Sequence, residues 1–124
     1  MDGPRGKRCR VLVVDDQAPL GRAIARSLRS EHDVTAMTDA REALEHVVGG
    51  ARYDVILCDM NMPGMRGPEF LRELRRRAPD HARRVVFLTG STTTTGHDVG
   101  DAEVRILHKP FDLDALRKLV REFA

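Results

Sequence analysis

The sequence predicts a doubly wound α/β domain built on a five-stranded parallel sheet. Two patterns carry that expectation. Short, dense apolar runs alternate with longer stretches in which apolar residues recur at helical spacing. The connections between them are short, which favours right-handed β-α-β crossovers with helices on both faces of the sheet. Size agrees: 124 residues, 41% of them hydrophobic, can fill one core but hardly two.

Val11-Leu12-Val13-Val14 is a continuous apolar run rich in β-branched residues, the pattern of a strand buried on both faces. A helix follows. Pro19 suits its first turn, and Leu20, Ile24 and Leu28 share a face. Val34 to Thr38 is a weaker strand. Asp39 with Glu42 forms a capping-box pattern, and the stripe Ala43, Leu44, Val47 and Val48 ends at Gly49-Gly50. Tyr53 to Cys58 is the next buried strand, and Met60 to Gly67, with Pro63-Gly64, is a loop. Pro68 opens a helix that carries Phe70, Leu71, Leu74 and Ala78 inward. Val85 to Leu88 and Val104 to Leu107 are the last two strands. Asp112 caps a final helix with Leu113, Leu116, Leu119, Val120 and Phe123 facing the core. Residues 91–101 stand where a fourth helix belongs, yet read STTTTGHDVGD. Threonine and glycine each cost a helix several tenths of a kcal/mol or more relative to alanine, so roughly a short, distorted helix or an ordered loop is expected.

Charge excludes some functions. The formal net charge is only +2, from 21 Lys+Arg against 19 Asp+Glu. Arg75-Arg76-Arg77 and Arg83-Arg84 lack interleaved aromatics. They read as a solvated helix face, and no direct nucleic-acid contact is expected. No apolar run nears the ~20 residues of a membrane helix. Met1 to Arg10 is polar, and Val11 to Val14 is too short for a signal peptide. Two cysteines make no disulfide framework and no zinc spacing, and Cys58 reads as an inert core residue. These features predict a reduced, cytoplasmic domain over residues 9–124, with 1–8 a flexible tail. The last helix ends almost at Ala124, so the domain is expected to stand alone or to be excised from a larger protein.

In such sheets ligands bind beyond the carboxyl ends of the strands, where the strand order reverses. Asp15 and Asp16 follow the first strand, Asp59 the third, Thr89 and Gly90 the fourth, and Lys109 and Pro110 the fifth. The second strand delivers only Thr38 and Asp39, as an edge strand would in the order 2-1-3-4-5. Asp15 and Asp16 alone would read as carboxylates favoured by a helix N-terminus; Asp59 and Lys109 turn them into a site. Carboxylates brought together repel unless a cation enters, and Mg²⁺ takes one or two carboxylates, waters and a phosphate oxygen. Lysine and threonine opposite them can hold a phosphoryl group, and a carboxylate can accept one.

The motifs VLVVDD (Val11 to Asp16), VILCDMNMPGMRG (Val55 to Gly67), VVFLTG (Val85 to Gly90) and HKPF (His108 to Phe111) occur in this order and spacing. Together they resemble the receiver domain of two-component response regulators, over about Arg10 to Phe123. The resemblance implies a flavodoxin-like fold with strand order 2-1-3-4-5 and a phosphoacceptor at Asp59. Asp15, Asp16, Asp59 and the backbone carbonyl of Asn61 would hold Mg²⁺. Thr89 and Lys109 would contact the phosphoryl group, and the bond before Pro110 would be cis. Asn61 and Ser91 would tune dephosphorylation. The phosphodonor would be a histidine kinase or a histidine phosphotransfer protein. The FLTG and KPF wording is similar to that of C-terminal receivers of hybrid histidine kinases. The chain departs from the family pattern at Ile106, where relatives often carry Tyr or Phe. Besides a switching phosphorelay module, a non-switching receiver acting as a scaffold or phosphate sink therefore stays open, as does a homodimer. A Mg²⁺-dependent phosphohydrolase commonly wants D-x-D after the first strand, and Asp15-Asp16-Gln17 does not supply it.

Overall fold

The computed structural model describes residues 8–90 and 104–123. The chain runs β1 (Arg10–Val14), α1 (Ala18–Leu28), β2 (Asp33–Met37), α2 (Ala40–Val48), β3 (Val55–Asp59), α3 (Gly67–Arg77), α4 (Pro79–Ala82), β4 (Val85–Thr89), β5 (Arg105–His108) and α5 (Leu113–Arg121). All strand pairs are parallel, in the expected order β2-β1-β3-β4-β5. Every residue of β3 and β4 is buried, as continuous apolar runs require, whereas the outer strands β2 and β5 are partly exposed.

Alternation along the strands splits the core in two. Leu12 and Val14 pack with Ile56, Cys58 and Phe87 beneath α2 and α3. Val11 and Val13 pack with Leu57 and Leu88 against Ile24 and Leu28 of α1 and Leu116 and Val120 of α5. Asp39 caps α2, its carboxylate accepting from Arg41 N–H at 2.8 Å and Glu42 N–H at 3.1 Å.

Three local expectations change. Asp59 and Thr89 do not follow their strands but end them, because the ladder continues through Asp59↔Leu88 and Thr89↔His108. Ala78 lies outside α3, with non-helical dihedrals (φ −148°, ψ 64°), as the α conformation is disfavoured before Pro79, and Pro79 starts the extra turn α4. Leu113 is not inward: it opens α5 at the strand-end rim of the sheet and is 41% exposed. The fourth-helix expectation at 91–101 and residues 1–7 of the tail expected at 1–8 lie outside the described residues. Arg8 is anchored. Its guanidinium donates to Asp33 Oδ1 at 2.8 Å and to the carbonyls of Arg29 and His32 at 3.0 and 3.1 Å, closing the C-terminal end of α1.

Two buried histidines hold the opposite end of the sheet. His32 Nδ1 accepts the Cys9 N–H at 3.0 Å, and His81 Nε2 accepts the Tyr53 N–H at 3.1 Å. Both acceptor nitrogens must be unprotonated, and burial lowers both pKa values below the usual 6.5. A depressed histidine pKa gives stability that is present above the unfolded pKa and lost as pH falls through the folded one. Urea midpoints should therefore drop as pH falls below about 6.5. His81→Gln offers a non-titrating acceptor and should flatten that slope, by an amount on the order of one hydrogen bond, about 1 kcal/mol. An unchanged slope in both His81→Gln and His32→Gln would contradict this account.

Candidate functional site

The carboxyl ends of β1, β3, β4 and β5 converge as expected. Ligand oxygens of Asp15, Asp16 and Asp59 lie within 4.8 Å of one another. Lys109 Nζ sits 3.4 Å from Asp59 Oδ1 and 3.6 Å from Asp15 Oδ2. One ammonium thus pairs with two of the three clustered carboxylates.

The backbone sets each position. Asp15 N–H donates to Met37 O at 3.0 Å, which extends the β1–β2 ladder by one residue and pulls Asp15 inward. Its Oδ1 accepts the Gln17 N–H at 2.8 Å, at the start of α1. Its Oδ2 is buried without a hydrogen-bond partner among the described residues. Asp16 faces solvent. The sequence presents these two residues as an equal pair, and only the ladder separates the buried one from the exposed one. Thr89, fully buried, ends β4, and its carbonyl accepts the Lys109 N–H at 2.6 Å. The Lys109–Pro110 bond is cis.

Asp59 is held by a loop that closes on itself. Met60 N–H donates to Leu88 O at 2.8 Å, and Gly67 N–H returns to Met60 O at 2.9 Å. Gly64 adopts φ +86°. A Cβ on Gly67 would lie 2.9 Å from both Met60 Sδ and Phe87 Cε1, so this position needs glycine to seat α3 against β4. Asn61 N–H points to Asp59 Oδ1 at 3.5 Å. Met62 and Met65, which the sequence left in an open loop, are buried beneath it. The apolar spacing M-x-M-x-x-M from Met60 was their signal.

Electrostatics follow from this packing. Burial first, and then the Asp15 charge, push the Asp59 carboxyl above its usual range, with Lys109 pulling the other way. Burial raises the neighbouring Cys58 thiol well above its ordinary value, which keeps it the inert core group expected. A buried carboxylate oxygen that, among the described residues, makes no hydrogen bond and is reached only by Lys109 at 3.6 Å, two further carboxylates and a compact all-oxygen donor set fit a hard divalent cation.

Residues 11–121 match the model of the response regulator receiver domain. The chain belongs to this family. This receiver is 37% identical over 94% of its length to the hydrogenase transcriptional regulatory protein HoxA of Cupriavidus necator, spanning 24% of that protein. It is 32% identical to the sensor kinase CckA of Brucella abortus, covering 90% of this chain and 12% of CckA. It thus spans a small part of either relative. Among solved structures it superposes with a TM-score of 0.78 on the receiver domain of sensor histidine kinase PA1611 of Pseudomonas aeruginosa. That match has 26% identity and covers 94% of this chain and 97% of the other, whose structure holds a magnesium ion in the active site cleft.

A raised carboxyl pKa gives stability below the unfolded pKa that is lost as pH rises through the folded one. In metal-free buffer at neutral pH, ionised Asp59 should therefore burden the fold, and Asp59→Asn should raise the melting temperature. Added Mg²⁺ should stabilise the wild type by about 2.7 kcal/mol at a hundred times its Kd, and the variant much less. Calorimetry with chelator and with Mg²⁺ reads both; equal Mg²⁺ responses would remove Asp59 from the cation site.

Proposed function

We propose that this receiver takes a phosphoryl group from a phosphohistidine onto Asp59 and thereby alters its affinity for a partner. The observation that carries the proposal is the convergence of the acidic cluster and Lys109 on one side chain, Asp59. Its carboxylate oxygen attacks phosphorus in line, an O–P bond forms, the N–P bond of the donor breaks, and the imidazole leaves with the electron pair. Lys109, within reach of Asp59, offsets the phosphoryl charge. The Thr89 hydroxyl, on the adjoining strand end, hydrogen-bonds a phosphoryl oxygen. Asp15, Asp16, Asp59 and the Asn61 carbonyl would hold Mg²⁺, which supplies charge neutralisation and alignment at the phosphoryl oxygens. The donor class is a cytoplasmic histidine kinase or histidine phosphotransfer protein, consistent with matches to kinase-borne receivers.

A second reading has its own observation. Ile106, the register partner of Phe87, packs half-buried against the α2–α3 core cluster. An aliphatic side chain offers no aromatic ring to reorient together with Thr89. The domain would then accept phosphate without reshaping β5, as a scaffold or phosphate sink.

Acetyl phosphate with Mg²⁺ should add one phosphoryl mass to the wild type and none to Asp59→Asn; a wild type unmodified by this donor and by a cognate kinase would sink the proposal. Beryllofluoride with Mg²⁺ then separates the two readings. Linked amide shifts at Thr89 and through β5 support switching, and shifts confined to Asp15, Asp59 and Lys109 support the sink.

A further inference from the structure

Among the described residues, β2 is an outer strand with no strand paired on its far edge. Asp33 N–H donates to Cys9 O, and Met37 O accepts from Asp15 N–H, so odd-numbered residues face β1. Alternation turns the N–H and C=O of Val34 and Ala36 outward. Their side chains face α1: Val34 packs in the α1–α5 core cluster, and a Cβ on Gly21 would sit 3.5 Å from Ala36 Cβ. Proteins commonly blunt such edges with lysine, proline or a bulge. β2 has none of these, and its register with β1 is unbroken from Asp33 to Met37. Its one charge, Asp33, stands at its start and is bound by Arg8 at 2.8 Å.

Beside this edge, α1 presents Arg22, Arg26 and Arg29, all exposed. With Ala25 and Val34 they line a cleft of about 290 Å³. Arginines elsewhere are mostly spent: Arg77 binds Glu45, Arg105 binds Glu122 and Arg121 binds Glu31. Among the described residues, no carboxylate pairs with these three.

We propose that the β2 edge and the arginine row of α1 form a docking site for an extended acidic segment of a partner protein, added to the sheet as a sixth strand. Main-chain bonds to Val34 and Ala36 would give affinity, and carboxylates at alternate positions would give specificity. The spacings agree. Arg22 and Arg26 are about 6 Å apart along the helix axis, and alternate side chains of a strand about 6.6 Å. A second copy of this chain fits poorly, because antiparallel pairing of two β2 edges would set one arginine row against the other.

The probe is a fluorescein-labelled eight-residue peptide alternating Thr and Glu, titrated into the full chain and followed by anisotropy and amide hydrogen exchange. Binding should be salt-sensitive and should slow exchange at the Val34 and Ala36 amides. Arg22→Glu/Arg26→Glu should weaken it about tenfold or more. Ala36→Pro removes an outward donor without touching the ladder to β1; it should abolish binding while beryllofluoride still shifts Asp59. Failure to bind overturns the proposal. So does binding that survives Ala36→Pro, leaves the two amides unprotected, or is matched by a helix-forming Glu-Ala peptide. Self-association through β2, read by ultracentrifugation, would overturn it in favour of a dimer.

Discussion

Three carboxylates share a few ångströms with a single ammonium group, and much of the fold can be understood as the means of keeping them there. Like charges at that spacing separate if the backbone lets them. Here it does not. Asp15 is drawn in by the last rung to β2, Asp59 is a strand residue rather than a loop residue, and Lys109 is tethered to Thr89 through its own amide. Each group is positioned by main-chain bonds from a neighbouring strand. The sheet therefore holds the repulsion in place, partly offset by Lys109.

That arrangement explains which parts were legible in the sequence. Dense β-branched runs suit strands covered on both sides, so β1, β3 and β4 were readable from Val11 to Val14, Tyr53 to Cys58 and Val85 to Leu88, and the sheet order from the one strand end that delivers no group to the site. The site was readable because polar residues interrupt those runs at their carboxyl ends. The inequality of Asp15 and Asp16 was not, since it depends on which of two adjacent side chains the pleat turns inward. Nor was α4, where Pro79 breaks one helix and seeds a single further turn. Leu113 misled because helical spacing marks a stripe but not where the sheet beneath it stops.

The loop from Met60 to Gly67 links Asp59 to the rest of the molecule. Three methionines fill it, and Phe87 leans on the one position where α3 has no side chain. Asp59 and Thr89 thus belong to strands joined both by the ladder and by this packing. The half-buried Ile106 continues the same layer onto β5.

Arg8 has a consequence for where the domain begins. Hydropathy would start the folded unit at the first apolar strand, yet the carbonyls that terminate α1 take their donors from a side chain ahead of that strand. A boundary drawn by hydropathy alone would leave the end of that helix to water and release Asp33 from its partner. The rim of β2 would fray first, at the end of the sheet away from the acidic cluster. The turn between α1 and β2 is therefore fastened by a side chain that precedes the first strand.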